Sequence, residues 1–429
     1  MKKIIAILAA LAAITISFAG EPLNVREFLR EDPLRYSSNQ HNYEVLDSTV
    51  TPAPKGYNAF YISHLSRHGS RAHGSKNEFR GLDTMLVYRS KGLLTPAADT
   101  LIALMESVRA ANLAIGYGTL SDRGAWEHRE IARRMGAHYP EVFTSGGSVT
   151  AYSTSVPRVI ASMENFTQSL GAAYPELQIS KLTTKDSKRA KLETNCAKFT
   201  KEQEKELDAV HTQHFRDSLL TLVDWTDQVN RYFKNGVVPR KYRGREGNLF
   251  YNIYKVGMNR QSFLDPSMGW IEPLFSDEQR YAIYNHRVTA QVFDWAYCDE
   301  NKGYKLKAAG QILRSMIEDA DEAIKGGADC ATLRFSHDGQ IMPVMCLMGL
   351  PGATFRGPLA EAYKHVCIPY TVHMAGNVQM VFYRNSRGKV LVKVLLNEEE
   401  VELPGLKADK KGVFYDWERL KAYFNSNME

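Results

Sequence analysis

Arg67-His68-Gly69-Ser70-Arg71 sets a histidine between two arginines, with a glycine beside it. Arginine presents a planar, permanently charged fork matched to phosphate oxygens. Gly69 removes a side chain where the backbone must bend close to a ligand. A neutral imidazole next to an arginine-bound phosphorus is a candidate nucleophile. The two guanidinium groups would offset the charge that builds on phosphoryl oxygens in the transition state. Such a site also needs an acid for the leaving oxygen. His337-Asp338-Gly339, about 270 residues further on, offers one in Asp338. Near a bound phosphate its ionised form is disfavoured, so its pKa should rise, favouring activity below neutral pH.

Both motifs need elements that deliver them. Asn58–Ser66 (NAFYISHLS) is β-rich and stops abruptly at RHGSR. Ala331–Ser336 (ATLRFS) reads as a strand delivering His337-Asp338. In open α/β sheets, sites form outside the carboxyl ends of strands. Two strand exits could therefore meet despite their separation in sequence. Residues 96–114, 121–138 and 158–173 carry helical periodicity, with Ser121 a plausible N-cap. Further strands are expected at 148–155, 378–383 and 389–396, and a long amphipathic helix at 299–325. Strands alternating with helices predict a three-layer α/β core around a central mixed sheet. Residues 175–295 differ in being polar and mostly helical in pattern, which predicts an inserted α-helical cap subdomain. The expected division is 1–19 as a signal peptide, 20–174 with 296–429 as the α/β core, and 175–295 as the insertion.

The N-terminus, MKKIIAILAALAAITISFAG, has Lys2 and Lys3, an apolar run from Ile4 to Ile16, and small residues at Ser17 and Ala19. That is the pattern of a secretory signal, and the run is short for a span of about 20 residues. The protein is expected to be exported, either periplasmic or secreted, with no membrane association after cleavage. Of 54 basic residues, losing Lys2 and Lys3 leaves 52 against 48 acidic. That mild excess suits a small anionic substrate. No basic run interleaved with aromatics argues for nucleic acid. At 44% hydrophobic and 24% charged, the 429-residue chain excludes a disordered or multi-span membrane protein.

Other chemistries lack their signatures. There is no GxxxxGK[ST] loop and no GxSxG elbow. Cys330 and Arg334 stand too close for a cysteine phosphatase loop. Five cysteines (Cys196, Cys298, Cys330, Cys346, Cys367) contain no CxxC pair, and their odd number leaves at least one unbridged within the chain. Export permits disulfides among the rest. His211 and His214 have no third ligand at metal spacing and read as ordinary helix residues. No metal and no cofactor are expected. His73 and Lys76, and the basic stretch of Lys181, Lys185, Lys188, Arg189, Lys191, Lys198 and Lys201, could contact a polyanion or could simply be solvated.

These motifs resemble those of the histidine acid phosphatases, the histidine phosphatase branch that includes phytases. The family's RHGxRxP stands here as RHGSRAH, and its His-Asp motif as SHDGQIMPVMCLMGL. YSTSVPRVIASMENF resembles its strand ending in an arginine that opens a helix, and GTLSDRGAWEHREIARRM its Gly-x-Leu-Thr turn and helix. The C-terminal half, including HMAGNVQMVFYRNSRGKVLVKVLLNEEEVELPG, is similar to multiple inositol polyphosphate phosphatases. By this resemblance His68 is the phosphorylated nucleophile and Asp338 the proton donor. Arg67, Arg71, Arg158 and His337 grip the phosphate. The resemblance implies a phosphomonoesterase for inositol polyphosphates such as phytate. The alternatives are a broad acid phosphatase for sugar phosphates and, more remotely, an inactive phosphate-binding module. Two departures stand out: His73 replaces the motif's proline, and His337-Asp338-Gly339 replaces the subgroup's His-Ala-Glu.

Overall fold

The computed structural model describes residues 23–47, 49–144, 146–192, 201–216, 218–409 and 412–429. Its frame is one mixed sheet. The strands are β1 (Tyr57–Arg67), β2 (Ser148–Ser153), β3 (Gln178–Thr183), β4 (Asp329–Ser336), β5 (Asn377–Asn385), β6 (Val390–Leu396), β7 (Glu399–Glu400) and β8 (Phe414–Asp416). Their order is β3-β2-β4-β1-β5-β6-β7, with β8 also on β6. β1, β4, β2 and β3 run parallel; β5 pairs antiparallel with β1 and β6. Register aligns Arg67 with Ser336 and Ser153 with Phe335, so three strands end together at one edge.

Strand side chains alternate between faces. Tyr61 and Leu65 of β1 pack with the helices Tyr304–Ile324, Asp338–Leu347 and Trp417–Met428. Ile62 faces the other way, with Val149, Leu333 and Phe335, against Ile131 and Met135 of the helix Asp122–His138 and Phe166 of the helix Pro157–Ala173. Both faces are covered, which makes the core three-layered. Ser121 caps the Asp122–His138 helix, its hydroxyl accepting from Gly124 N at 3.2 Å.

A third apolar cluster lies among helices. It joins Phe79, Leu82, Leu101 and Met105 to Leu249, Phe250, Ile253 and Ile283. Residues before β2 thus share a core with residues of the 175–295 segment. That segment opens with β3, which the sequence reading passed over: QISKLT is mostly exposed at a sheet edge and carries no buried stripe. Among the described residues no helix is long and apolar enough to cross a membrane. Cys298, Cys330, Cys346 and Cys367 are buried and unbridged. Residues 1–19 and Cys196 fall outside the described residues.

Candidate active site

β1 delivers Arg67 fully buried. Its Nη1 donates to the carbonyls of Asn39 and Val372, and its Nη2 lies 2.7 Å from Asp338 Oδ2. His68 follows, its N–H on Ser336 O at 3.0 Å, so the two strand exits are bonded to each other. His68 Nδ1 is 2.9 Å from Gly69 O. A carbonyl only accepts, so Nδ1 carries the proton and Nε2 keeps its lone pair. Burial, then the charges of Arg67, Arg71 and Arg158, hold the imidazole well below its usual pKa. That lowering favours the neutral imidazole, the form a nucleophile requires.

The loop after His68 rests on the helix Asp122–His138 through two glycines. A Cβ on Gly69 would stand 2.4 Å from Gly124 O, and one on Gly124 would stand 2.1 Å from Ser70 O. Neither glycine is needed for its dihedral angles; both are needed for space. Buried Glu127, one turn further along, accepts from Ser70 N at 2.8 Å and Ser70 Oγ at 2.7 Å. Ser121 N and Oγ donate to Ser70 O at 2.9 and 3.0 Å. Ser162 Oγ accepts from Gly69 N at 3.1 Å. The Gly69 N–H and the Ser70 N–H, carbonyl and hydroxyl are each held by a neighbour, which fixes the backbone that carries His68 and Arg71.

Arg158 is the second residue of its helix and sits 3.3 Å from His337 Nδ1 through Nη2. Guanidinium only donates, so Nδ1 accepts and His337 Nε2–H faces Thr154 Oγ1 at 3.2 Å. Burial and Arg158 lower the His337 pKa to about 4. Its ring lies 5.5 Å from that of His68. The Nε atoms of Arg71 and Arg158 are buried with no hydrogen-bond partner among the described residues. Burial lowers the pKa of Arg67 and Arg158 to about 10, which still leaves both charged. Three guanidinium groups converging with unmet donors call for an anion.

Asp338 begins the helix Asp338–Leu347 and is partly exposed. Oδ1 accepts from Gly339 N at 3.0 Å; Oδ2 accepts from Asn39 Nδ2 at 2.8 Å. Burial pushes its pKa up, but Arg67 and the Asn39 bond outweigh it, and the net shift is downward. The upward shift was expected with phosphate bound; in the free site Arg67 pairs with Asp338 and the shift runs downward.

His68, Asp338, Arg67, Arg71, Arg158 and His337 are thus drawn together at one edge of the sheet. His73 is not a rim residue, nor is it solvated. It is buried, with Nδ1 3.2 Å from Glu78 Oε2, Nε2 3.4 Å from Val256 O and its ring 5.1 Å from that of Phe79. Its N–H donates to buried Asn112 Oδ1, a bond the family's proline could not make. That bond ties the loop to the helix Ala97–Ile115. Lys76, Lys181, Lys185, Lys188 and Lys191 are exposed. Arg189 is engaged by Asp319 and Glu322. Lys198 and the side chains of Lys201, His211 and His214 fall outside the described residues. Sequence reasoning missed Gly124, Glu127, Thr154, Asn39 and Arg287. Gly124 and Glu127 sit in the family-like SDRGAWE segment, whereas nothing in RYSSNQHNY distinguishes Asn39.

Fold and site define a phosphate-handling histidine enzyme, and the sequence comparison agrees. The chain belongs to the histidine phosphatase superfamily (branch 2), whose family model matches residues 61–397. It is a phosphomonoester hydrolase of the histidine acid phosphatase type. Among solved structures it is similar to the multiple inositol polyphosphate phosphatase of Bifidobacterium longum in complex with phosphate. The TM-score is 0.75 and the identity 17%, over 92% of this chain and 98% of that one. It is also similar to the phytase from D. castellii (TM-score 0.69, 11% identity, 93% and 86% covered). The phytase of Klebsiella sp ASR1 follows at TM-score 0.53 and 12% identity, with 87% and 96% covered. No curated protein sequence matches.

Proposed function

We propose that the chain is an exported phosphatase that works through a phosphohistidine and acts on inositol polyphosphates such as phytate. One observation carries the mechanism: His68 Nδ1 is bonded to Gly69 O, leaving Nε2 unprotonated in a pocket of three arginines beside Asp338. Nε2 attacks phosphorus as the phosphorus–oxygen ester bond breaks. Asp338 gives its proton to the departing alcohol oxygen. Water then attacks the phosphohistidine, Asp338 takes that proton, and inorganic phosphate leaves with His68 restored. Arg67, Arg71 and Arg158 stabilise the phosphoryl oxygens, and His337 lines the same pocket. An arriving phosphate draws Arg67 toward its own oxygens and adds negative charge beside Asp338; both raise the carboxyl's pKa. Below neutral pH the required proton can enter with the substrate monoanion.

The substrate class rests on likeness to proteins named as inositol polyphosphate phosphatases and phytases. Export, to the periplasm or beyond, rests on residues 1–19. The test is a substrate panel comparing phytate with sugar phosphates, with rapid-quench trapping of an acid-labile, alkali-stable phosphoenzyme. Absence of turnover on any ester between about pH 4 and 7 defeats the enzyme mechanism. Preference for sugar phosphates defeats the substrate class alone.

A further inference from the structure

Asp338 is the first residue of a helix and partly exposed, so something besides its own backbone must aim it. The N-terminal arm supplies that. Asn39 lies in the short helical turn Pro33–Gln40, almost wholly buried. Its amide oxygen accepts from Nε and Nη2 of Arg287, on the helix Asp277–Trp295. Arginine has no acceptor, so the amide cannot turn over without opposing donor to donor. Nδ2 is therefore forced toward Asp338, where it donates to Oδ2 at 2.8 Å. The backbone is also held against its preference here. Ser38 has φ 56° and ψ −126°, outside helical geometry, and its hydroxyl donates to Gln291 Oε1 at 2.6 Å on the same helix. A non-glycine residue keeps such a conformation only when its surroundings impose it.

We infer that Asn39 is a positioning residue for the proton donor, locked in orientation by Arg287, so that the helical segment outside the sheet controls leaving-group protonation. The inference rests on Asp338 being that donor. It gives the Asn39 side chain one task and its main chain another. The carbonyl of Asn39 accepts from Arg67 and survives any substitution, so phosphate binding should survive too. The amide oxygen is held by Arg287 and its Nδ2 donates to Asp338, so loss of that donor should be felt where the leaving oxygen needs a proton.

The experiment compares kcat/KM on 4-nitrophenyl phosphate, whose leaving group needs little protonation, with that on glycerol 2-phosphate, whose alkoxide needs it fully. Variants are Asn39→Ala, Asn39→Asp, Asp338→Asn and each pair with Asp338→Asn, in the full protein. Asn39→Asp keeps the shape and the Arg287 acceptor but sets a carboxyl against Asp338 in place of the amide donor, whereas Asn39→Ala removes the donor outright. A hydrogen bond to a charged group predicts a loss of about 10- to 100-fold on the alkyl ester. The aryl ester should lose under about threefold, and inhibition by inorganic phosphate should be unchanged within about twofold, since neither depends on the amide. In the Asp338→Asn background the Asn39 substitutions should add nothing. Equal losses on both esters, or losses that add to those of Asp338→Asn, overturn the role of Asn39. If Asp338→Asn itself affects both esters alike, the donor assignment fails and the positioning role falls with it. If only Asp338→Asn discriminates, the donor stands and Asn39 does not.

Discussion

Gly124→Ala sets two effects of opposite sign against each other. Gly124 lies in the first turn of the helix Asp122–His138, and helix propensity alone favours alanine there by about 1 kcal/mol. The packing says otherwise. The new Cβ would stand 2.1 Å from Ser70 O and 2.6 Å from Ser70 N, where real contacts do not fall below 3.0 Å. The helix and the loop must part by about 0.9 Å. Both obstructing atoms are backbone, and both are tied to the same helix: Ser70 O by Ser121, Ser70 N by Glu127. Separation therefore lengthens the bonds that hold the loop. Overpacking costs about 1–3 kcal/mol, so destabilisation should exceed the propensity gain. Function should suffer more, because Ser70 is two residues from His68, and a misplacement near 1 Å costs about 100-fold in rate. The assay is kcat/KM on 4-nitrophenyl phosphate beside a thermal melt. A variant with raised melting temperature and full activity would refute the claim that glycine contact sets the nucleophile's position.

Three further outcomes are expected. His68→Ala should abolish turnover and phosphoenzyme formation while inorganic phosphate still binds, as read by titration calorimetry; retained turnover would remove His68 as nucleophile. Burial lowers His64, His128 and His373 to pKa values of about 3. Below about 6.5 the unfolded chain binds protons that the native state refuses, so stability falls as pH drops; at about pH 5 each group costs about 2 kcal/mol. Melting temperature should decline from pH 7 to 5, less steeply in His128→Leu, and a flat profile would contradict the burial. Cys330 is pushed up to about 11 and Cys298, Cys346 and Cys367 to about 12, all by burial, so these thiols should react with disulfide reagents only on unfolding; rapid labelling of the native protein at any of them would show that burial wrong.

The strands β1, β2, β4, β5 and β6 were legible because each is a compact β-rich run ending at a turn signal. The helices at 97–115, 122–138 and 157–173 were legible from their 3.6-residue period. β3 was not, because an exposed edge strand needs no apolar pattern. His73 illustrates a different failure. A polar residue in a basic loop looks like surface, yet Glu78, Val256 and Asn112 meet it from three separate elements, and their convergence accompanies its burial.

By itself the sequence determined the chemistry on offer: a histidine with flanking arginines, a distant His-Asp, and the strands that end just before each. Residue type sets charge and nucleophilicity, and those are local properties. The tertiary structure decided what local pattern cannot carry. It chose the tautomer of His68 through Gly69 O, set Gly69 against Gly124 with no room for a methyl, and lowered the Asp338 pKa in the free site by pairing it with Arg67 and Asn39. Hydrogen bonding and burial depend on distances between residues far apart in the chain, and those distances exist only once the chain is folded.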